Sequence, residues 1–200
     1  MSWIEEISYE ASSGELRKLY DRVKGPDNYI DNILKVHSLR PHTLHGHMTL
    51  YKNVLHNSNN TMEKWQLETI GVYVSYLNNC HYCIQHHFAR LRKLFKDDIK
   101  ADLLFDCIVQ NNLEVMFDEK MQEVLHYANK LTLDCRAVSK YDVGRLQKLG
   151  FTDGDILEIN QVISYFNYAN RTVMGLGVSV DGDILGLSPS DSNVAENWNN

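Results

Sequence analysis

From Thr69 to Ala89 the chain contains no Asp, Glu, Lys or Arg, the longest such run in the sequence. An uncharged stretch of this length belongs either in a bilayer or in a protein interior. Asn78, Asn79, Gln85 and three histidines lie within it, and hydrocarbon would penalise each of them, so no membrane span is expected. The run must instead be wrapped by the rest of the chain. Its midpoint carries the pair Asn78-Asn79. Asn tolerates the left-handed conformation that closes a helix, and it caps the next one well. The expected unit is therefore a helical hairpin over about 62–95 that reverses at the two asparagines.

Helical periodicity dominates the flanks as well. "SSGELRKLYDRVKG" places Ser12 or Ser13 ahead of Leu16, Leu19, Tyr20 and Val23, and Gly25-Pro26 stops the pattern. "DNYIDNILKVHSL" follows, then "RPHTLHGHMTLYKNVL" with Pro41 in a first turn. "NTMEKWQLETIGVYVSYL" offers Asn60 or Thr61 as its cap, and a further helix runs from about Cys80 to Phe95. Four more helical patterns run from Asp97 to Gly177, two of them opening on the capping pairs Ser139/Asp142 and Thr152/Asp155. No sustained period-2 alternation appears, so the fold class is all-α, a bundle of about eight or nine helices. One domain over 1–178 is expected, with a second half at about 115–177 lacking a redox pair. The polar, turn-rich residues 179–200 are expected to be extended or disordered. "LETIGVYVSY" (67–76) and "LEINQVISYF" (157–166) echo one another faintly, a weak internal two-fold repeat that sets Cys80 opposite Asn170.

A formal charge of -6 argues against nucleic acid as partner, because phosphate binding needs a basic face. Arg90, Arg92, Lys93 and Lys96 read as the solvated last turns of one helix. "MSWIEEISYEASSG" lacks the apolar core of a secretion signal. Four cysteines in such a chain point to a reducing compartment, by default the cytoplasm.

The chemistry is concentrated in "LNNCHYCIQHH", residues 77–87. On a helix Cys80 and Cys83 share a face, within disulfide reach, and His87 follows one turn on; His86 lies further round the cylinder. In a straight rod Glu68 would lie about 18 Å from Cys80 along the axis. In a hairpin turning at Asn78-Asn79 it comes alongside His87. The order carboxylate, imidazole, thiol is that of an activated nucleophile, and a helix start favours the thiolate. Two other readings fit the same residues: a metal clip of Cys80, Cys83 and His87, and a redox-sensing helical protein without catalysis.

Glu68, Cys80, Cys83 and His87 in "ETIGVYVSYLNNCHYCIQHH" resemble the alkyl hydroperoxidase D-like (AhpD-like) branch of the carboxymuconolactone decarboxylase family, in particular its peroxidase-related group. "YFNYANRTVMGLGV" is similar to that group's C-terminal signature. The resemblance implies an all-helical fold of two related halves, assembled as a homo-oligomer, commonly a trimer or hexamer. It implies hydroperoxide reduction by a Cys80–Cys83 disulfide cycle; Cys83 is expected to attack the peroxide, with the reversed roles also open because the first cysteine at a helix start is usually the more exposed. It further implies an external dithiol or lipoyl-type reductant protein and no cofactor. Where the founding member has a histidine before the second cysteine, this chain has Tyr82, which is no base near neutral pH. Tyr82 and His86 are therefore expected only in support. Asn170 and Arg171 are expected near the pocket on the same resemblance.

Elsewhere the residues read as structure. The spacing of His37, His42, His45 and His47 does not gather them on one helical face, so they are expected along an exposed or half-buried helix. Cys107 reads as core, and Cys135 as a surface residue without a role. His126 and Tyr127 read as packing. Glu158, the echo of Glu68, reads as a solvent-facing or helix-pairing residue.

Overall fold

The computed structural model describes residues 2–194 and 196–199. Among them are nine α-helices and no strand: α1 (Gly14–Val23), α2 (Asn32–Lys35), α3 (Pro41–Leu55), α4 (Lys64–Leu77), α5 (His81–Phe95), α6 (Asp98–Val109), α7 (Glu119–Leu133), α8 (Lys140–Lys148) and α9 (Asp153–Gly175). No helix is long and apolar enough to cross a membrane.

The uncharged run becomes the centre of the bundle. Every residue of α4 from Leu67 to Ser75 is buried, because α5, α7 and α9 pack around it. Gly71 sets the closest approach: a Cβ there would lie 2.1 Å from the Phe166 ring of α9. The chain reverses where the paired asparagines stand. Asn78 closes α4, and Asn79 adopts φ 55°. The Asn79 N–H donates to the Tyr76 carbonyl (2.9 Å) and the Cys80 N–H to that of Ser75 (2.9 Å), the two bonds of a Schellman stop. The asparagines do not also cap α5, however; Cys80 itself is the N-cap residue.

Capping differs from expectation at one other place. Helix α4 opens on Glu63, in a reciprocal capping box with Gln66, rather than on Asn60 or Thr61. Both of those side chains are taken: Asn60 Nδ2 donates to the Val54 carbonyl, and Thr61 Oγ1 to Asp155. The Ser139/Asp142 and Thr152/Asp155 boxes form as the spacing predicts. Glu158 pairs elements, accepting from the Thr61 and Met62 N–H groups.

The largest departure is the C-terminal segment. Its described residues beyond Val178 are extended but packed, not disordered; Ala195 and Asn200 lie outside the described residues. The Asp183 carboxylate accepts from the Tyr29 hydroxyl (2.7 Å), the Tyr82 hydroxyl (2.7 Å) and the Asn32 N–H (3.1 Å). Asp191 lies 2.6 Å from Lys64 Nζ and 3.4 Å from His56 Nδ1. Trp198 is buried in a cluster with Leu16, Tyr20, Leu44 and Met48, and the Arg22 guanidinium lies 3.6 Å above its ring. Polar composition suggested disorder because the sequence does not reveal buried partners for those polar groups. Gly186 (φ 75°) lets this strap lie directly on α5: a Cβ there would be 3.1 Å from the Ala89 and Arg90 backbone. Lys93 Nζ donates to the Gly186 carbonyl (3.0 Å). The basic end of α5 is thus partly a seat for the strap and not simply a solvated face.

Candidate active site

Glu68 sits on α4 and His87 on α5, and the hairpin brings them together: His87 Nδ1 lies 2.7 Å from Glu68 Oε2. Glu68 is only 1% exposed. Burial pushes its carboxyl up, but the adjacent His87 ring more than reverses this and holds the group below its ordinary value, with Arg90 adding to the effect. Phe166 meets the His87 ring edge-on at 4.6 Å, and Tyr51 does so at 6.4 Å. The imidazole is held in one orientation by an acid and two aromatic walls. With Nδ1 committed to the carboxylate, Nε2 is left to handle protons.

Cys80 and Cys83 are free thiols, both buried, in a small cluster with Val36, Tyr82, Val173 and Val178. They differ in two ways. The neighbouring Cys83 thiol holds the Cys80 thiol below its ordinary value against the effect of burial, and the Cys83 N–H contributes in the same direction. Cys83 is pushed up by the Cys80 thiol and by burial, an effect partly offset by the Asn170 side chain. Cys83, in turn, lines a cavity of about 60 Å³ together with His87, His86, Tyr51, Tyr82 and Tyr165, and Cys80 does not.

The expected chain from Glu68 through His87 to Cys83 thus forms only in its first link. Cys83 interacts with Cys80 and Asn170, and what it shares with His87 is the lining of the cavity. The metal clip does not assemble either. Among the described residues, the set of three that brings ligand atoms within 4.8 Å of one another is Asp31, His86 and Asp183, not Cys80, Cys83 and His87. Asp183 already accepts from Tyr29, Tyr82 and Asn32, with His86 Nε2 at 3.1 Å, so protein donors close that cluster.

The surrounding topology matches known structures. An alkylhydroperoxidase AhpD core, an uncharacterised peroxidase-related protein from Ralstonia eutropha JMP134, superposes with a TM-score of 0.76 at 24% identity over 89% of this chain and 91% of that one. The fold is AhpD-like. A second uncharacterised peroxidase-related protein, from Silicibacter sp. TM1040, gives a TM-score of 0.71 at 25% identity over 82% and 84% of the two chains. The debrominase Bmp8 gives 0.68 at 13% identity over 89% and 90%. No protein-family model and no curated protein matches the sequence. The two peroxidase-related neighbours bear the name of the group that the Glu68, Cys80, Cys83 and His87 spacing resembles.

Within the AhpD-like frame, the structure sorts the remaining expectations. Tyr82 and His86 stack at 4.5 Å and their polar groups both face Asp183 of the strap, while Tyr82 also packs in the cluster with the two thiols. Asn170 is fully buried against the thiols, taking its Oδ1 bond from Asn78 Nδ2 (2.9 Å) and donating to Ser75 Oγ (3.1 Å). Arg171 lines no part of the cavity; it turns back on Asn167. His47 is buried and packs on Tyr51, Tyr165 and Tyr168, more enclosed than its helix suggested. Sequence reasoning missed Asp183, Asp31 and the roof of Leu187, Ser188 and Pro189. None shares a helix with the thiols, so no periodic spacing could have placed them there.

Proposed function

We propose that this chain is a thiol-dependent oxidoreductase that reduces hydroperoxides by cycling Cys80 and Cys83 between dithiol and disulfide. The observation that carries the reading is the buried Glu68–His87 pair at 2.7 Å, with His87 and Cys83 lining one cavity. Cys83 meets the peroxide because it, and not Cys80, lines that cavity. His87, oriented by Glu68, takes the Cys83 proton across the cavity through substrate or water. The thiolate attacks the distal peroxide oxygen; an S–O bond forms, the O–O bond breaks, and the departing alkoxide recovers the proton from His87. Cys83 is then a sulfenic acid. Cys80, whose thiol is the more acidic of the two, attacks that sulfur; the S–S bond forms and water leaves. The peroxide gains two electrons and the dithiol loses them. An external dithiol, of which a lipoyl group on a partner protein is one form, restores the pair by exchange. Assembly as a homo-oligomer, trimer or hexamer, is part of this proposal.

Cys83→Ser, Cys80→Ser and His87→Ala test it separately, read as donor-coupled peroxide consumption. Cys83→Ser abolishes turnover and His87→Ala lowers it by roughly 100-fold or more. Cys80→Ser consumes one equivalent of peroxide and stops at a Cys83 sulfenic acid. Undiminished turnover in Cys83→Ser overturns the assignment. Oxidation of wild-type protein by peroxide without donor-coupled turnover identifies a sensor instead.

A further inference from the structure

One cavity group is unused by this chemistry. Cys83, His86, His87 and Arg90 lie at i, i+3, i+4 and i+7 on α5, one face of the helix, and all four line the cavity. Arg90 Nε is buried and has no hydrogen-bond partner among the described residues. Glu68, the carboxylate that feels the Arg90 charge, takes its hydrogen bond from His87 and not from the guanidinium. Two more cavity-lining side chains carry buried polar atoms without a partner, Ser188 Oγ and His47 Nδ1. Ser188 belongs to the strap, which lies against the Arg90 backbone at Gly186. Much of the remaining wall is apolar, with Ile33, Leu34, Met48 and Leu187.

A partly buried guanidinium whose Nε–H has no acceptor is costly, and a planar carboxylate satisfies its fork best. A single guanidinium in about 60 Å³ of space suits one carboxylate better than a phosphate, which usually draws a cluster of cations. We propose that Arg90 is a substrate-binding residue and that the site takes a small organic hydroperoxide bearing a carboxylate, with Ser188 as a further donor. The seven residues from Cys83 to Arg90 span about 10 Å of helix axis, part of which the arginine side chain bridges, so the carbon chain between the two groups is short. The hydroperoxide half of this inference rests on the proposed function; the carboxylate half does not.

The test uses the reduced full-length chain and two unreactive probes, pentanoate and its neutral isostere pentanamide, titrated by calorimetry. Pentanoate binds roughly tenfold or more tightly than pentanamide. The gap closes in Arg90→Gln, persists in large part in Arg90→Lys, and narrows with added salt in the wild type. Absence of saturable pentanoate binding, equal affinities in the wild type, or a gap that survives Arg90→Gln overturns the proposal. Because neither probe is turned over, a carboxylate preference without peroxide consumption removes the peroxidase reading and leaves the Arg90 site standing.

Discussion

Asp31 shows how a single residue can set a pH response that the sequence does not reveal. Burial and the neighbouring Asp183 push its carboxyl from an ordinary 3.8 up to about 6, with His86 opposing. The folded chain therefore keeps a proton that the unfolded chain has lost between those values, and this group's contribution to stability falls as pH rises through the window. Asp31→Asn keeps a polar partner for the Tyr29 hydroxyl, whose oxygen lies 2.9 Å from Asp31 Oδ1, and removes the titration. Relative to wild type, the variant gains of order 2 kcal/mol between pH 4 and pH 8, measured as urea unfolding at each pH. A flat difference across that range removes the assignment. Glu68 has the opposite sign. Its carboxyl is held low, so its contribution is present above the unfolded value and is lost only as pH falls through the folded one. Glu68 and His87 were legible because a hairpin register follows from spacing around a turn. Asp31 was not, because its environment comes from a strap about 150 residues further on.

At the scale of elements, the α4–α5 turn carries the site. Asn79 is the residue in the left-handed region, at φ 55°, where a Cβ without a local polar partner is disfavoured and glycine is at ease. Asn79→Ala costs about 1 kcal/mol in chemical denaturation, and Asn79→Gly is close to neutral. If Asn79→Ala were as stable as wild type, the turn geometry would be wrong. The periodicity of the sequence was enough to locate this hairpin and every long helix. It misplaced the α4 cap, since the choice between Glu63 and Thr61 depends on Asp155 and Glu158 reaching in from α9. A cap is chosen by competition among all nearby partners, and a linear pattern contains only the local ones.

At the scale of the whole molecule, Leu187, Ser188 and Pro189 of the C-terminal strap roof the cavity that Cys83 lines. Asp183 is the strap's inner anchor, engaging Tyr29, Asn32, Tyr82 and His86 at once. Asp183→Ala leaves those donors unpaired and costs about 2–4 kcal/mol. It also speeds alkylation of Cys83, buried in the closed form, relative to the exposed Cys135 as internal reference; equal ratios in wild type and variant would show that the strap does not guard the thiol. The sequence alone determined an all-helical chain, a central uncharged hairpin, and the meeting of Glu68 with His87 beside two cysteines, because each follows from local periodicity and one turn. Only the tertiary structure decided which cysteine lines the cavity, that the two thiols are shifted in opposite directions, and that a polar C-terminal strap forms the roof. Those depend on burial and on charges contributed by segments far apart in the chain, and neither quantity is defined until the chain has packed.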